Sequence, residues 1–254
     1  MDADEMSRDV SARAILDHER VRVVMPITPY LFDYDVWRKI RIAQVLLSRD
    51  CMEARGFVVE IPEPVSQVEM RIWGLWSIGR AERYGFGFPG DEQLVEPSAA
   101  YLAAEQDCAG PTSERLERLL GADPTAIEDL ANQIIFQAHD AASKTATYRE
   151  LRAAYDDCLR EAGRIPDNDP SHWGIRSDRE SMSVGPAQAS SADIQTAVTE
   201  ARCNVRLNVT QIMGDLEASY QAPLIAKNRA ALNVNRSRIV DVENRLDEFI
   251  RLNQ

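Results

Sequence analysis

The chain has 254 residues, enough to bury a substantial core in one large domain or two small ones. Its 41 acidic residues outnumber 29 Lys and Arg residues, and the net charge of -12 opposes binding to nucleic acid or anionic lipid. No segment approaches the ~20 uninterrupted apolar residues of a transmembrane helix. The charged first residues also lack the apolar stretch of a signal peptide.

The N-terminal third predicts a polar arm followed by one amphipathic helix. Residues 1–24 are polar and predict a helical or frayed arm, which the prolines of "MPITPY" (Met25–Tyr30) end. Apolar residues recur on one broad face from Asp35 to Arg55, and Gly56 stands where a helix C-cap glycine is expected. The following "FVVEIPEP" predicts an extended segment, because its prolines exclude a central strand.

An irregular segment rich in glycine and aromatic residues covers Arg71–Glu92. Exposed rings offer contact area at low entropic cost, so these residues are candidates to line a groove for sugar rings or an extended peptide. The alternative, favoured because large aromatic side chains are mostly buried, is that they fill the core. The candidate ligand-binding residues are Trp73, Trp76, Tyr84, Phe86 and Phe88.

Three helices and a loop are predicted next. The first begins near Thr112 and ends at Gly121, the second begins at Pro124 or Thr125, and the third ends at Gly163 with Cys158 near its end. The stretch 164–191 is rich in Pro, Gly, Ser and Asp, and predicts a partly mobile surface connection.

The C-terminal residues predict a long helix, or two helical pieces that meet near Gly214–Pro223. Its second part carries an apolar stripe made of Ile225, Leu232, Ile239, Val242, Leu246 and Phe249. An apolar stripe of this size must pack against another surface, since its exposed area would exceed the apolar patches that monomers usually expose. We expect it to dock on the same chain and the protein to be a monomer; a helix-mediated dimer is the alternative.

The four cysteines form neither a C-x-x-C pair nor a Cys/His cluster with zinc spacing. They are therefore disulfides of an oxidising compartment or ordinary buried thiols. Cys51 and Cys158 share a local pattern. Each is followed by a large apolar residue, Met52 or Leu159, and by a glycine five positions after the cysteine. A second cysteine follows each copy, Cys108 after the first and Cys203 after the second.

Five stretches together resemble a family of uncharacterised secreted lipoproteins from actinobacteria. They are "LLSRDCMEARGF", "RIWGLWSIGRAERYGFGFP", "DCAGPTSERLERL", "YRELRAAYDDCLREAG" and "VTEARCNVRLNVTQIMGDLEASYQAPLIAKNRAAL". The order of motifs matches that family over most of the chain. The sequence departs from it in "IWGL" for Tyr-Gly-Leu, in Leu159 for a second Met, and in having no lipobox cysteine.

The resemblance implies an extracellular or cell-envelope location and therefore favours disulfides. We expect the pairs Cys51–Cys108 and Cys158–Cys203; the alternative is Cys51–Cys158 with Cys108–Cys203. The predicted fold is mainly α, a multi-helix assembly with an irregular aromatic segment, two intrachain disulfides and a long C-terminal helix. Its predicted parts are the arm 1–30, a first stapled half 31–121 and a second half 122–254.

No catalytic motif is present, and an enzyme site would have to be assembled from scattered carboxylates and His139. Adjacent residues on a helix diverge, so His139-Asp140 and Asp156-Asp157 are most simply solvated faces. We therefore predict a non-catalytic extracytoplasmic binding or structural protein, without cofactor or metal, whose ligand is an unknown protein or cell-wall component. The alternative is a hydrolase or other enzyme.

Overall fold

The computed structural model describes residues 6–61, 69–88, 97–169, 172–175 and 189–253. Within these ranges the chain is mainly α, which confirms the predicted fold class. The helices are α1 (Tyr34–Glu53), α2 (Ile78–Tyr84), α3 (Ala99–Leu120), α4 (Pro124–Ser143), α5 (Ala146–Glu161), α6 (Ser191–Leu207) and α7 (Val209–Asn253). One antiparallel hairpin precedes them, formed by β1 (Ile15–Asp17) and β2 (Arg22–Val24).

The prediction of a helical or frayed arm is wrong where the hairpin forms. Every second side chain from Val21 to Ile27 is buried, the alternation of a strand rather than the spacing of a helix. The hairpin region also lies close against α7. A Cβ placed on Gly214 would stand 2.7 Å from the Cβ of Ala14, so glycine permits this approach.

Helix α3 begins thirteen residues before the predicted start near Thr112, and it continues through Gly110 and Pro111. Ser98 caps it, with its hydroxyl accepting from the backbone N–H of Tyr101 at 3.1 Å. Buried residues on both sides of the proline, such as Cys108 and Leu116, hold the helix together there. Tertiary burial therefore outweighs the local cost of an interior proline, about 3 kcal/mol.

The break in the C-terminal helical region falls at Asn208, not between Gly214 and Pro223. Asn208 has a left-handed φ of 53° and ends α6, whereas α7 runs unbroken through Gly214 and Pro223. Asparagine tolerates this conformation better than other non-glycine residues. Gly214 and Pro223, between which the break was predicted, both lie inside the continuous helix α7.

Part of the predicted surface loop 164–191 is buried. Trp173 and Ile175 are 2% and 4% exposed, and Pro166 forms an isolated antiparallel bridge with Ile175. Residues 170–171 and 176–188 lie outside the described residues, as does the proline-containing end of the "FVVEIPEP" segment. The described residues 57–61 form no strand.

The chain divides into two compact units, each assembled from three stretches of sequence. Unit 1 comprises Met1–Pro26, Val65–Leu94 and Ile135–Leu224; unit 2 comprises Ile27–Pro64, Val95–Ile134 and Ile225–Gln254. These units do not follow the consecutive blocks 1–30, 31–121 and 122–254, because α4 and α7 each begin in one unit and end in the other. Each unit nevertheless holds one disulfide.

The core of unit 2 includes the end of the C-terminal stripe. Ile239, Val242 and Leu246 of α7 are buried against residues of α1, α3 and α4, with Phe249 partly buried beside them. The other members of this cluster are Phe32, Val36, Ile40, Ala43, Leu47, Leu116, Leu120 and Ile127. This part of the stripe is covered by the same chain. In unit 1, α6 packs on α2 through a separate cluster that contains Leu75, Ala81, Phe86, Ala197, Val198 and Ala201.

Candidate functional site

The four cysteines form the two disulfides expected from the sequence, Cys51–Cys108 and Cys158–Cys203, and no cysteine is free. In unit 2 the bond joins the last turn of α1 to the middle of α3. In unit 1 it joins the end of α5 to α6. Each bond therefore fixes one helix end to a neighbouring helix.

The repeated Cys-x4-Gly pattern corresponds to one helix-ending geometry used twice. Gly56 and Gly163 have φ values of 84° and 74°. In both copies the glycine N–H donates to the carbonyl three residues back, and the next N–H donates to the carbonyl five residues back, the hydrogen bonds of a Schellman motif. That second carbonyl belongs to the residue after the cysteine, Met52 or Leu159, and both of these side chains are buried.

A cavity of about 500 Å³ lies beside the Cys51–Cys108 bond, between α1 and α3 of unit 2. Its buried lining residues are Met52 and Cys108, and Val45, Val59 and Tyr101 add partly buried apolar surface. Leu102 is 49% exposed at the same cavity. The polar and small lining residues are Arg41, Gln44, Ser48, Glu60, Glu105, Gln106, Ala109, Thr112 and Ser113. The cavity thus combines an apolar floor with a polar rim.

The floor belongs to a small apolar cluster around the disulfide. Met52, Ala104 and Cys108 are its buried members, and Phe57 packs edge-on against Tyr101 with ring centroids 5.5 Å apart. The sequence-based prediction missed this site because it placed no helix before Thr112. The signal available was Ser98 as an N-cap followed by "AAYLAAEQ", a run of strong helix formers.

The five aromatic candidates lie in unit 1, and three of them are core residues. Trp73, Trp76 and Phe86 are 1%, 4% and 3% exposed, which supports the alternative that the segment fills a core. Tyr84 and Phe88 are partly buried, and each ring carries an arginine guanidinium above it, Arg83 at 5.3 Å and Arg71 at 4.2 Å respectively.

Arg71 organises the aromatic segment from within. Its guanidinium pairs with Glu69 at 3.2 Å and donates to the backbone carbonyls of Phe86 and Gly87. Burial raises the pKa of the Glu69 carboxyl, and the neighbouring guanidinium acts in the opposite direction. The pair holds the irregular backbone in place and is enclosed, so we assign it a structural role.

Glu200 of α6 accepts hydrogen bonds from backbone N–H groups in two segments outside the helices and the hairpin. Its two carboxylate oxygens accept from the N–H groups of Leu75 and Ile175, at 2.8 and 2.9 Å. Asn204, one turn later, donates to the carbonyl of Trp73 at 2.7 Å. Buried backbone groups need such partners, and α6 supplies them by side chains.

His139 is the one catalytic candidate from the sequence that acquires a carboxylate partner. Its Nδ1 lies 2.6 Å from Oε1 of Glu217, a buried residue of α7. The hydrogen bond that His139 donates to the Glu217 carboxylate raises the pKa of His139, and partial burial opposes this shift. Asp140 instead pairs with Lys144 at 2.6 Å, so the two adjacent side chains diverge as predicted.

The second carboxylate pair is also engaged with arginines of its own helix. Asp156 contacts Arg152 at 3.0 Å, and Asp157 contacts Arg160 at 2.7 Å. Within the described ranges, no group of three or more His, Cys, Asp or Glu side chains is placed to hold a metal ion. None of the helices in those ranges combines the length and apolarity needed to cross a membrane.

No family model, curated protein or solved structure matches this chain.

Proposed function

We propose that the protein is a non-catalytic binding protein of the cell envelope or extracellular space, and that the cavity beside Cys51–Cys108 is its binding site. The observation that carries the proposal is the cavity itself. Its volume of about 500 Å³ falls within the range of small-molecule sites. Its apolar floor and polar rim suit a ligand that buries an apolar group and keeps polar groups near solvent.

The chemistry of the lining supports binding rather than catalysis. The sulfur of Cys108 on the floor is held in a disulfide. The charged lining residues Arg41, Glu60 and Glu105 are exposed at the rim, where solvent screens them. Such groups orient a ligand more readily than they supply a desolvated acid or base. The ligand class we propose is an apolar side chain of a peptide or the acyl part of a wall component.

Replacement of two alanines of α3 by phenylalanine, one at a time, tests the site. Ala109 lines the cavity, whereas Ala103 is an exposed alanine on the same helix that does not. The probe is an uncharged naphthalene dye that becomes fluorescent in apolar surroundings. We expect Ala109→Phe to fill the cavity and weaken dye binding at least tenfold, while Ala103→Phe changes it less than twofold. Equal binding by both variants, with unfolding midpoints like that of the parent, contradicts the proposal.

The proposed compartment rests on the two disulfides and on the resemblance to secreted actinobacterial lipoproteins. Disulfides persist in oxidising environments and are rare where thiols are kept reduced. Alkylation of cells before lysis, followed by peptide mapping, should recover all four cysteines in disulfide-linked peptides. Recovery of four alkylated thiols would place the protein in a reducing compartment.

A second candidate function is an enzyme that uses His139. The observation that favours it is the buried Glu217, which fixes one ring nitrogen of a half-exposed histidine and leaves the other available as a base. A thermal shift with Zn²⁺ that disappears in His139→Ala, or hydrolysis of an activated ester that the same change abolishes, would support it. Unchanged behaviour in both assays removes this candidate.

A further inference from the structure

An arginine is aimed at one of the two disulfides. The Nη1 atom of Arg55 lies 3.1 Å from the Sγ atom of Cys51 and 3.2 Å from its carbonyl oxygen. The Nε atom of the same guanidinium lies 3.6 Å from Oδ2 of Asp107. Asp107 thus engages one side of the guanidinium and leaves the other directed at sulfur.

This contact gains strength when the sulfur becomes negative. A disulfide sulfur is a weak hydrogen-bond acceptor, whereas a thiolate beside a guanidinium receives a charge-assisted hydrogen bond. Neighbouring arginines stabilise thiolates and lower thiol pKa values. Arg55 therefore favours the reduced state of Cys51 over the disulfide.

The two disulfides also differ in access, and the difference lies at Cys51. Cys51 is partly exposed, whereas Cys108 is 1% exposed and Cys158 and Cys203 are both 4% exposed. Each bond borders a depression, the first through Cys108 and the second through both of its cysteines. Among contacts of the described residues, neither sulfur of the second bond receives a hydrogen bond from a cation. Arg202 and Arg206 border the depression beside that second bond, and Arg206 pairs with Glu161 at 3.3 Å.

We propose that Cys51–Cys108 is a site of reversible thiol–disulfide exchange, opened by a dithiol reductant that attacks the sulfur of Cys51. Accessible disulfides are the labile ones, and the guanidinium of Arg55 attracts the incoming thiolate to the sulfur of Cys51. In the second step, when Cys51 itself is the leaving group, the same guanidinium stabilises the departing thiolate. Cys158–Cys203 remains closed under the same conditions and serves as the structural bond. The proposal does not depend on the binding function, because reduction can be followed without a ligand.

The exchange proceeds in two balanced steps. A thiolate of the reductant attacks Sγ of Cys51, forming a mixed disulfide, while the Cys51–Cys108 bond breaks and its electron pair passes to Cys108, which takes up a proton. The second sulfur of the reductant, as a thiolate, then attacks the reductant sulfur of the mixed disulfide and expels Cys51 as a thiolate next to Arg55. The protein bond has gained two electrons; one proton of the reductant is on Cys108, the other passes to solvent or to Cys51, and the reductant ends as a cyclic disulfide.

Timed reduction of the full chain tests the proposal. Dithiothreitol is added at neutral pH, samples are quenched with iodoacetamide, and peptide mass mapping follows each cysteine. We expect Cys51 and Cys108 to be alkylated at least tenfold faster than Cys158 and Cys203. Faster opening of Cys158–Cys203 would overturn the proposal.

Matched arginine substitutions isolate the role of the cation. Arg55→Gln should slow opening of Cys51–Cys108 at least threefold, Arg55→Lys should slow it less, and Arg206→Gln should leave both bonds unchanged. An unaltered rate in Arg55→Gln contradicts the mechanism. A monothiol supplies a further readout: the trapped adduct should reside on Cys51, and an adduct on Cys108 instead would also contradict it.

Discussion

Gly74 occupies a position in unit 1 where both the backbone and the space require glycine. Its φ of 80° is left-handed, and an added Cβ would stand 2.7 Å from Oη of Tyr155 and 3.0 Å from the carbonyl oxygen of Trp173. Gly56 has nearly the same φ, 84°, but has nothing within 4 Å of the equivalent point. A side chain at either position would meet backbone strain, but only a side chain at Gly74 would also be crowded by neighbouring atoms.

We expect Gly74→Ala to destabilise the protein about twice as much as Gly56→Ala, or more. A left-handed conformation costs about 1–2 kcal/mol at either site, and overpacking adds about 1–3 kcal/mol at Gly74 alone. Urea unfolding of the two variants measures the difference. Equal losses would mean that the surroundings of Gly74 relax to accept a methyl group.

The His139–Glu217 contact makes a pH-dependent contribution to stability. Because the pKa of His139 is raised in the folded state, the folded protein binds this proton more tightly than the unfolded chain does. The stabilisation is fully present below the ordinary histidine pKa of about 6.5. It is lost as pH rises through the raised value.

His139→Gln should therefore be less stable than the parent at pH 5.5 and close to it at pH 9. The amide can still donate to Glu217 but carries no charge. We expect a difference of about 0.5–1 kcal/mol at the lower pH, since the ring is partly exposed and solvent screens the pair. Thermal unfolding at both pH values measures it. In a Glu217→Gln background the effect should vanish; its persistence there would assign it to another group.

Capping residues in the sequence correctly predicted the ends of several helices. Gly56 and Gly163 marked the ends of α1 and α5, and Pro124 marked the start of α4. The failures occur where burial overrides such signals. A helix start near Thr112 and a break near Gly214–Pro223 were predicted, but α3 and α7 run through these residues because the flanking side chains are buried.

The candidate sites depended on contacts that local patterns do not contain. Glu200 holds the backbone of Leu75, a partner 125 residues away in sequence. The composition of the aromatic segment therefore favoured its burial but could not predict the contacts that enclose it. The disulfides were expected from the family resemblance together with the recurring Cys-x4-Gly helix end, since the cysteines alone left buried thiols open. The cavity beside one of them could not be predicted, since its second wall is the unpredicted first half of α3.

The last turns of α7 stabilise unit 2 through packing. Leu246 is 0% exposed in its core, whereas Leu252, further along the same helix, is 65% exposed. We expect Leu246→Ala to cost about 2–5 kcal/mol, and Leu252→Ala about 0.5 kcal/mol or less. Chemical unfolding monitored by circular dichroism tests this pair. Similar small effects would show that the end of α7 is not docked in solution.

We expect the protein to be a monomer of about 28.5 kDa. The buried end of the C-terminal stripe is covered within unit 2, and a net charge of -12 opposes self-association. Light scattering at 50 and 500 mM salt measures the mass. A dimer at both salt concentrations would indicate that the exposed remainder of α7, including Val234 and Val240, forms an interface.

Because Leu246 belongs to the core of unit 2, that core can be completed only late in synthesis of the chain. Synthesis runs from the N-terminus, so Cys51 and Cys108 emerge while the helix that completes their unit is still unmade. Phe32, Val36 and Leu116 are therefore not covered by α7 until the residues around Leu246 have been synthesised. A nascent chain stalled short of Leu246 would expose that apolar surface to chaperones and proteases, so unit 2 completes its core only after α7 has been made.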